Sequence, residues 1–304
     1  MGIKKWWRLL KEAVSVWSDD FAPSMGAALS YYMLFSIAPL LVIVIALAGF
    51  FFGAEAVRGE VFAQLSGLMG QDGAAAIEGL LKSASEPKEG AIATAASVGV
   101  LLLGATTALA ELQSSLDRIW RAPAPEKMSG VWKFIRARLL SFAMILTLAF
   151  LLMVSLVLGA GMAALGKWWG PWFAGWETLA QIVNFVLSFG LTTVLFAMIY
   201  KIVPRVHIRW HDVWVGAAVT AVLFAVGKIL IGLYLGKSGV TSGFGAAGSL
   251  VLVMVWVYYS AQVFLIGAEF TWVYAHEFGS RKGLDREEPE DVLEAHELKK
   301  KNPG

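Results

Sequence analysis

Six stretches of this chain are each long and apolar enough to cross a bilayer, and that constrains the fold more than any other feature. A span needs roughly 20 mostly apolar residues at 1.5 Å rise to cross about 30 Å of hydrocarbon. The stretches are Ala27–Phe52, Ala91–Ala110, Leu139–Leu165, Leu179–Ile202, Val213–Leu235 and Leu250–Tyr274. The composition agrees: 58% of residues are hydrophobic and 16% charged, where a soluble domain averages about 45–50% and 25%. No segments of about ten residues alternate in hydrophobicity, so a lipid-embedded β-barrel does not fit. The expected fold is an all-α polytopic membrane protein with six transmembrane helices.

Lys and Arg orient it. In a six-span frame, nineteen fall on the side of the termini, at the N-terminal segment, the 2–3 and 4–5 connections and the tail. Five fall on the other side: Arg58, Lys82, Lys88, Lys167 and Lys237. That bias predicts both termini in the cytoplasm. Trp168, Trp169, Trp172 and Trp176 mark the outer interface, and Trp210, Trp214 and Trp272 the inner one. Residues 1–24 read as a cytoplasmic amphipathic segment lying on the membrane, with Trp6, Leu9, Leu10, Ala13, Val14 and Trp17 at helical spacing. Residues 25–278 form the transmembrane domain, and 279–304 a charged, flexible tail. In the long outer connection, Val57, Val61, Phe62, Leu65, Leu68 and Met69 make one apolar stripe. It breaks at Gly70–Gly73 and resumes at Ile77, Leu80 and Leu81. This predicts two amphipathic helices that either cap the bundle or gate an outer opening. The N-terminus lacks the pattern of a cleavable signal.

Three motifs then carry a resemblance: AALSYYMLFSIAPLL at Ala27–Leu41, VPRVHIRWHDVWVGAAVTAVLFAVGKILIGLYL at Val203–Leu235, and FGAAGSLVLVMVWVYYSAQVFLIGAEF at Phe244–Phe270. In order and spacing the chain resembles the YihY/BrkB family of bacterial inner-membrane proteins over about residues 5 to 275. The resemblance implies a six-helix inner-membrane fold and little chemistry. Members have carried the labels ribonuclease BN and virulence factor.

The residues offer a ribonuclease little. His207 and His211 are the one close pair of the four His, spaced i, i+4, and Asp212 is the only acid within ten residues of them. An interfacial role fits better than a metal site. There is no Cys, and no cofactor is expected. Nor does a net charge of +2 suggest a nucleic-acid partner.

Ionisable groups inside spans are costly in lipid and usually face a bundle interior or cavity. Lys228 lies roughly 10 Å from the outer end of span five and Glu269 roughly 28 Å from that of span six, by helical rise. They are therefore no direct pair. Glu111 lies near the depth of Glu269, and Arg118, Arg136, Arg138 or Arg205 are the expected partners of these carboxylates. Lys228 either snorkels outward or lines an outward polar cavity that attracts an anion. Pro39 removes a backbone hydrogen bond to the Phe35 carbonyl, and Tyr31, Tyr32 and Ser36 beside it could line a hinge or site wall. Gln181, Asn184 and Gln262 add intramembrane polar groups. Gly232 and Gly236 form a GxxxG packing signal. The Gly-rich stretch Gly236–Gly248 reads as an outer loop or an anion cradle.

Together these predict an integral inner-membrane transporter or translocator of a lipid-like or amphipathic solute, with membrane lipids as partners and self-association compatible with the Gly faces. The alternative is a non-transporting envelope-integrity or scaffold protein. A continuous polar cavity between the helices separates the two readings.

Overall fold

Besides the isolated helical positions Phe150, Val154, Val157 and Gly161, the computed structural model describes residues 3–85, 91–123, 176–237 and 248–283. These form seven helices: α1 (Ile3–Asp19), α2 (Ala22–Phe52), α3 (Ala54–Ser85), α4 (Ala91–Ile119), α5 (Trp176–Ile202), α6 (Trp210–Lys237) and α7 (Gly248–Glu277). No strand occurs among the described residues. Four helices are long and apolar enough to cross a membrane: Ala22–Phe52, Gln181–Ile202, Trp210–Ile231 and Leu250–Glu277. They present large apolar side chains outward, among them Phe50, Phe51, Val226, Ile229 and Leu230. Water would penalise such a surface and lipid accepts it. The chain is an all-helical, multi-pass integral membrane protein. Of the expected span at Leu139–Leu165, Phe150, Val154, Val157 and Gly161 are described, as helix; the rest of it, the Trp168–Trp172 cluster and the Gly-rich loop at 238–247 lie outside the described residues.

α7 is the central helix and packs against α1, α2, α3, α4 and α6. α2 lies between α7 and α4, and α6 between α7 and α5. The core divides in two. At the end of the bundle nearer the termini, Leu9, Leu116, Trp120, Tyr200, Leu265 and Phe270 close a dense apolar cluster. At the other end Leu41, Ile45, Val57, Val61, Ile77 and Val257 form a second cluster beneath α3.

Glycines set the closest helix approaches. A Cβ at Gly216 would collide with Thr271, one at Gly267 with Thr220, and one at Gly227 with Tyr259. These contacts draw α6 onto α7, the use of small residues expected where apolar lipid offers no drive to associate. Across the same seam the Tyr200 hydroxyl donates to the Phe264 carbonyl at 2.8 Å, with Thr220 Oγ1 at 3.1 Å.

α1 is in contact with α2 and α7. Its apolar face is buried on the bundle: Leu9 and Ala13 are inaccessible, and Trp6 stacks on Phe270 with ring centroids 5.9 Å apart. α3 is the expected pair of amphipathic helices. The break is one residue, Gly70 (φ 81), a left-handed backbone that glycine adopts without steric cost. The start of the tail is docked: Arg281 is buried with its guanidinium 5.0 Å over the Trp120 ring. Ser280 donates from its amide and hydroxyl to Asp212 at 3.0 and 2.5 Å.

Candidate functional site

Two places among the described residues combine polar groups with enclosure. The first is a cavity of about 390 Å³ between α2 and the two arms of α3. Leu41, Val61, Phe62, Leu65, Ile77 and Leu81 supply apolar walls, and Arg58, Glu78 and Lys82 the charged groups. The i, i+3, i+4 spacing of both arms creates it. The reversal at Gly70 folds two apolar stripes towards each other, and their polar edges form a rim with one more cation than anion. Trp256 anchors the α3 turn to α7, donating to the Leu68 carbonyl at 2.9 Å. Pockets of about 300–1,000 Å³ with apolar walls and few polar groups are the usual form of small-molecule sites.

The second place is at the opposite end of α7. There Glu269 is 0% exposed. Its charged neighbours are Asp20, on the turn between α1 and α2, and Arg121, just past the end of α4. Arg121 donates to Asp20 Oδ1 at 2.8 Å, and its guanidinium lies 5.8 Å over the Trp272 ring. Both connecting turns are unusual. Phe21 (φ 58) and Arg121 (φ 53) are the non-glycine residues with positive φ among those described, a conformation that costs on the order of 1 kcal/mol or more each. At α4 the left-handed Arg121 ends the helix, and the Ala122 amide returns to the Asp117 carbonyl at 2.8 Å, as in a Schellman cap.

Among the described residues, the cation beside Glu269 is Arg121. Arg205 is taken by Asp117, at 3.3 Å, and Arg118 lies over the Phe21 ring; Arg136 and Arg138 fall outside the described residues. Asp20 and Arg121 escaped notice because both sit in connections, one and two residues beyond a helix end, where charge reads as solvated.

The other expected residues do not converge. Lys228 lies on the outer face of α6 among exposed Val226, Ile229 and Leu230. It is not among the residues that line the cavity. Pro39 is accommodated inside an unbroken α2. Ser36 is buried beside it, whereas Tyr31 is exposed and packs edge-on against Tyr32 and Phe35. Gln262 is half-buried against Gly26 and donates to the Pro23 carbonyl at 3.4 Å. Gln181 is exposed and Glu111 half-buried; the Asn184 side chain lies outside the described residues. Gly232 and Gly236 sit on α6, and their surroundings lie outside the described residues. Trp210 and Trp214 are exposed as an aromatic belt requires, while Trp272 is buried. Among the described residues no group of three His, Cys, Asp or Glu could hold a metal. The His211 ring faces its neighbour Asp212 at 3.5 Å.

No solved structure matches this chain. A family model described as virulence factor BrkB matches residues 13–291, which include α2 to α7 and all but the first part of α1. The chain belongs to the BrkB family of membrane proteins.

Proposed function

We propose that this protein is an inner-membrane translocator of an amphipathic, lipid-like solute that carries an anionic group, with both termini in the cytoplasm. The observation that carries this reading is the cavity beneath α3. Its walls suit an acyl chain, and Arg58 and Lys82 outnumber Glu78 at its rim, which suits a negatively charged head. A site confined to one end of the bundle is where a solute would be held before or after crossing. Lys228 has no part in it. The reading involves no enzymatic step and no nucleic acid.

A scaffold role draws on a different observation. At the other end the described core is solid, with Trp120, Tyr200 and Phe270 fully buried, so a passage there requires the helices to move. Lipid retention separates the two. Wild-type protein purified in mild detergent from vesicles of equal phosphatidylglycerol and phosphatidylcholine is expected to retain the anionic lipid preferentially. Replacing Arg58 and Lys82 by Gln together reduces that preference about thirtyfold, given about 1 kcal/mol per cation near a lipid surface. Equal retention of both lipids by the wild type contradicts the proposed site.

A further inference from the structure

The base of α7 holds more negative charge than its neighbours neutralise. Asp20 is 6% exposed and Glu269 0%. Arg121 satisfies one oxygen, Asp20 Oδ1. Asp20 Oδ2 and both Glu269 oxygens are buried and accept no hydrogen bond from a donor among the described residues, and the two carboxyl groups lie within hydrogen-bond reach of each other. Buried acceptors are almost always satisfied, and an uncompensated buried charge is among the most unfavourable features a fold can carry.

Among the described residues, the elements packed around α7 do not supply the missing charge. The α1–α2 turn presents Asp20 and the end of α4 presents Arg121. α6 presents Asp212, engaged by Ser280, and α5 presents Tyr200, which donates to the Phe264 carbonyl. Arg8 of α1 pairs with Glu277, two turns further along α7. Two carboxylates against one guanidinium leave a net charge of minus one, which a single positive charge cancels. A divalent ion fits poorly, because it would need more oxygen ligands than this pair offers and no third acidic or His ligand stands among the described residues.

We infer that Asp20 and Glu269 form the binding site for one monovalent cation, a proton or a sodium ion, held between the α1–α2 turn and α7. Occupation neutralises the carboxylate pair and holds α1 and the end of α4 against the base of α7. The left-handed turns at Phe21 and Arg121 are the joints through which loss of the cation would be felt. This inference does not depend on the solute proposed for the α3 cavity.

Thermal unfolding of the full chain in detergent tests it, in wild type, Glu269→Gln and Asp20→Asn. One series varies NaCl against choline chloride at fixed pH and ionic strength; the other varies pH at fixed NaCl. A ligand that binds only the folded state raises the midpoint by mass action, by about 5 °C at a concentration about 100 times its Kd. A sodium site predicts a midpoint that rises with NaCl. A proton site predicts one that rises as pH falls, whatever the NaCl. Either response is flattened in both variants. Identical responses in wild type and variants overturn the inference. Should neither variant fold, infrared spectra of the wild type decide. A buried carboxyl band that changes with pH or sodium supports the site, and an invariant one overturns it.

Discussion

Gly267 on α7 has Thr220 and the Tyr200 hydroxyl where a side chain would have to go. Gly59, on the exposed side of α3, has nothing within 4 Å. The same residue type therefore carries opposite sensitivities. Gly267→Val overpacks the α6–α7 seam and should cost about 1–3 kcal/mol, seen as a lowered unfolding midpoint. Gly59→Ala should leave the midpoint unchanged or raise it, because alanine gains up to about 1 kcal/mol in a helix interior. The reverse ranking would mean that the seam is looser than the contacts indicate. One strand of sequence could show GxxxG spacing at Gly232 and Gly236, but it could not show which glycines meet a partner. Gly216 and Gly267 matter because Thr271 and Thr220 stand opposite them, and that pairing exists only once two helices are juxtaposed. Glu269 was legible as an intramembrane acid; its neighbours were not, since Asp20 is 249 positions away in the chain.

At the scale of elements, apolar periodicity served well where lipid dictates it. The read stretch Val213–Leu235 lies within α6 (Trp210–Lys237), and Leu250–Tyr274 within α7 (Gly248–Glu277). The helices extend a few residues further because polar end residues such as His276 and Glu277 continue the backbone pattern without adding hydropathy. The break in α3 was legible at Gly70 because an apolar stripe lost its phase there. The docking of α1 was not: an amphipathic helix carries the same pattern whether its apolar face meets lipid or α7. Because Gly70 holds φ 81, Gly70→Ala should be strained by about 1 kcal/mol. Hydrogen exchange should then rise in α3 and stay unchanged at the base of α7. Uniform loss of protection in both helices would show that α3 does not open on its own.

For the whole molecule, the absence of cysteine makes topology directly readable by single introduced thiols. With both termini on one side, Lys11→Cys and Lys282→Cys should react with an impermeant maleimide from the same face of inside-out vesicles, and Lys82→Cys only from the other. Labelling of Lys11→Cys and Lys82→Cys from one face would overturn that orientation and with it the placement of the α3 cavity. The central claim, that this bundle moves an amphipathic anion, is tested most directly by lipid translocation. Purified protein is reconstituted into liposomes with head-group-labelled anionic or zwitterionic lipid, and an external quencher is added. The account predicts a protein-dependent loss of protection that is faster for the anionic lipid and slowed when Arg58 and Lys82 are replaced together. Full protection of every labelled lipid, with correctly folded protein in the membrane, would contradict it.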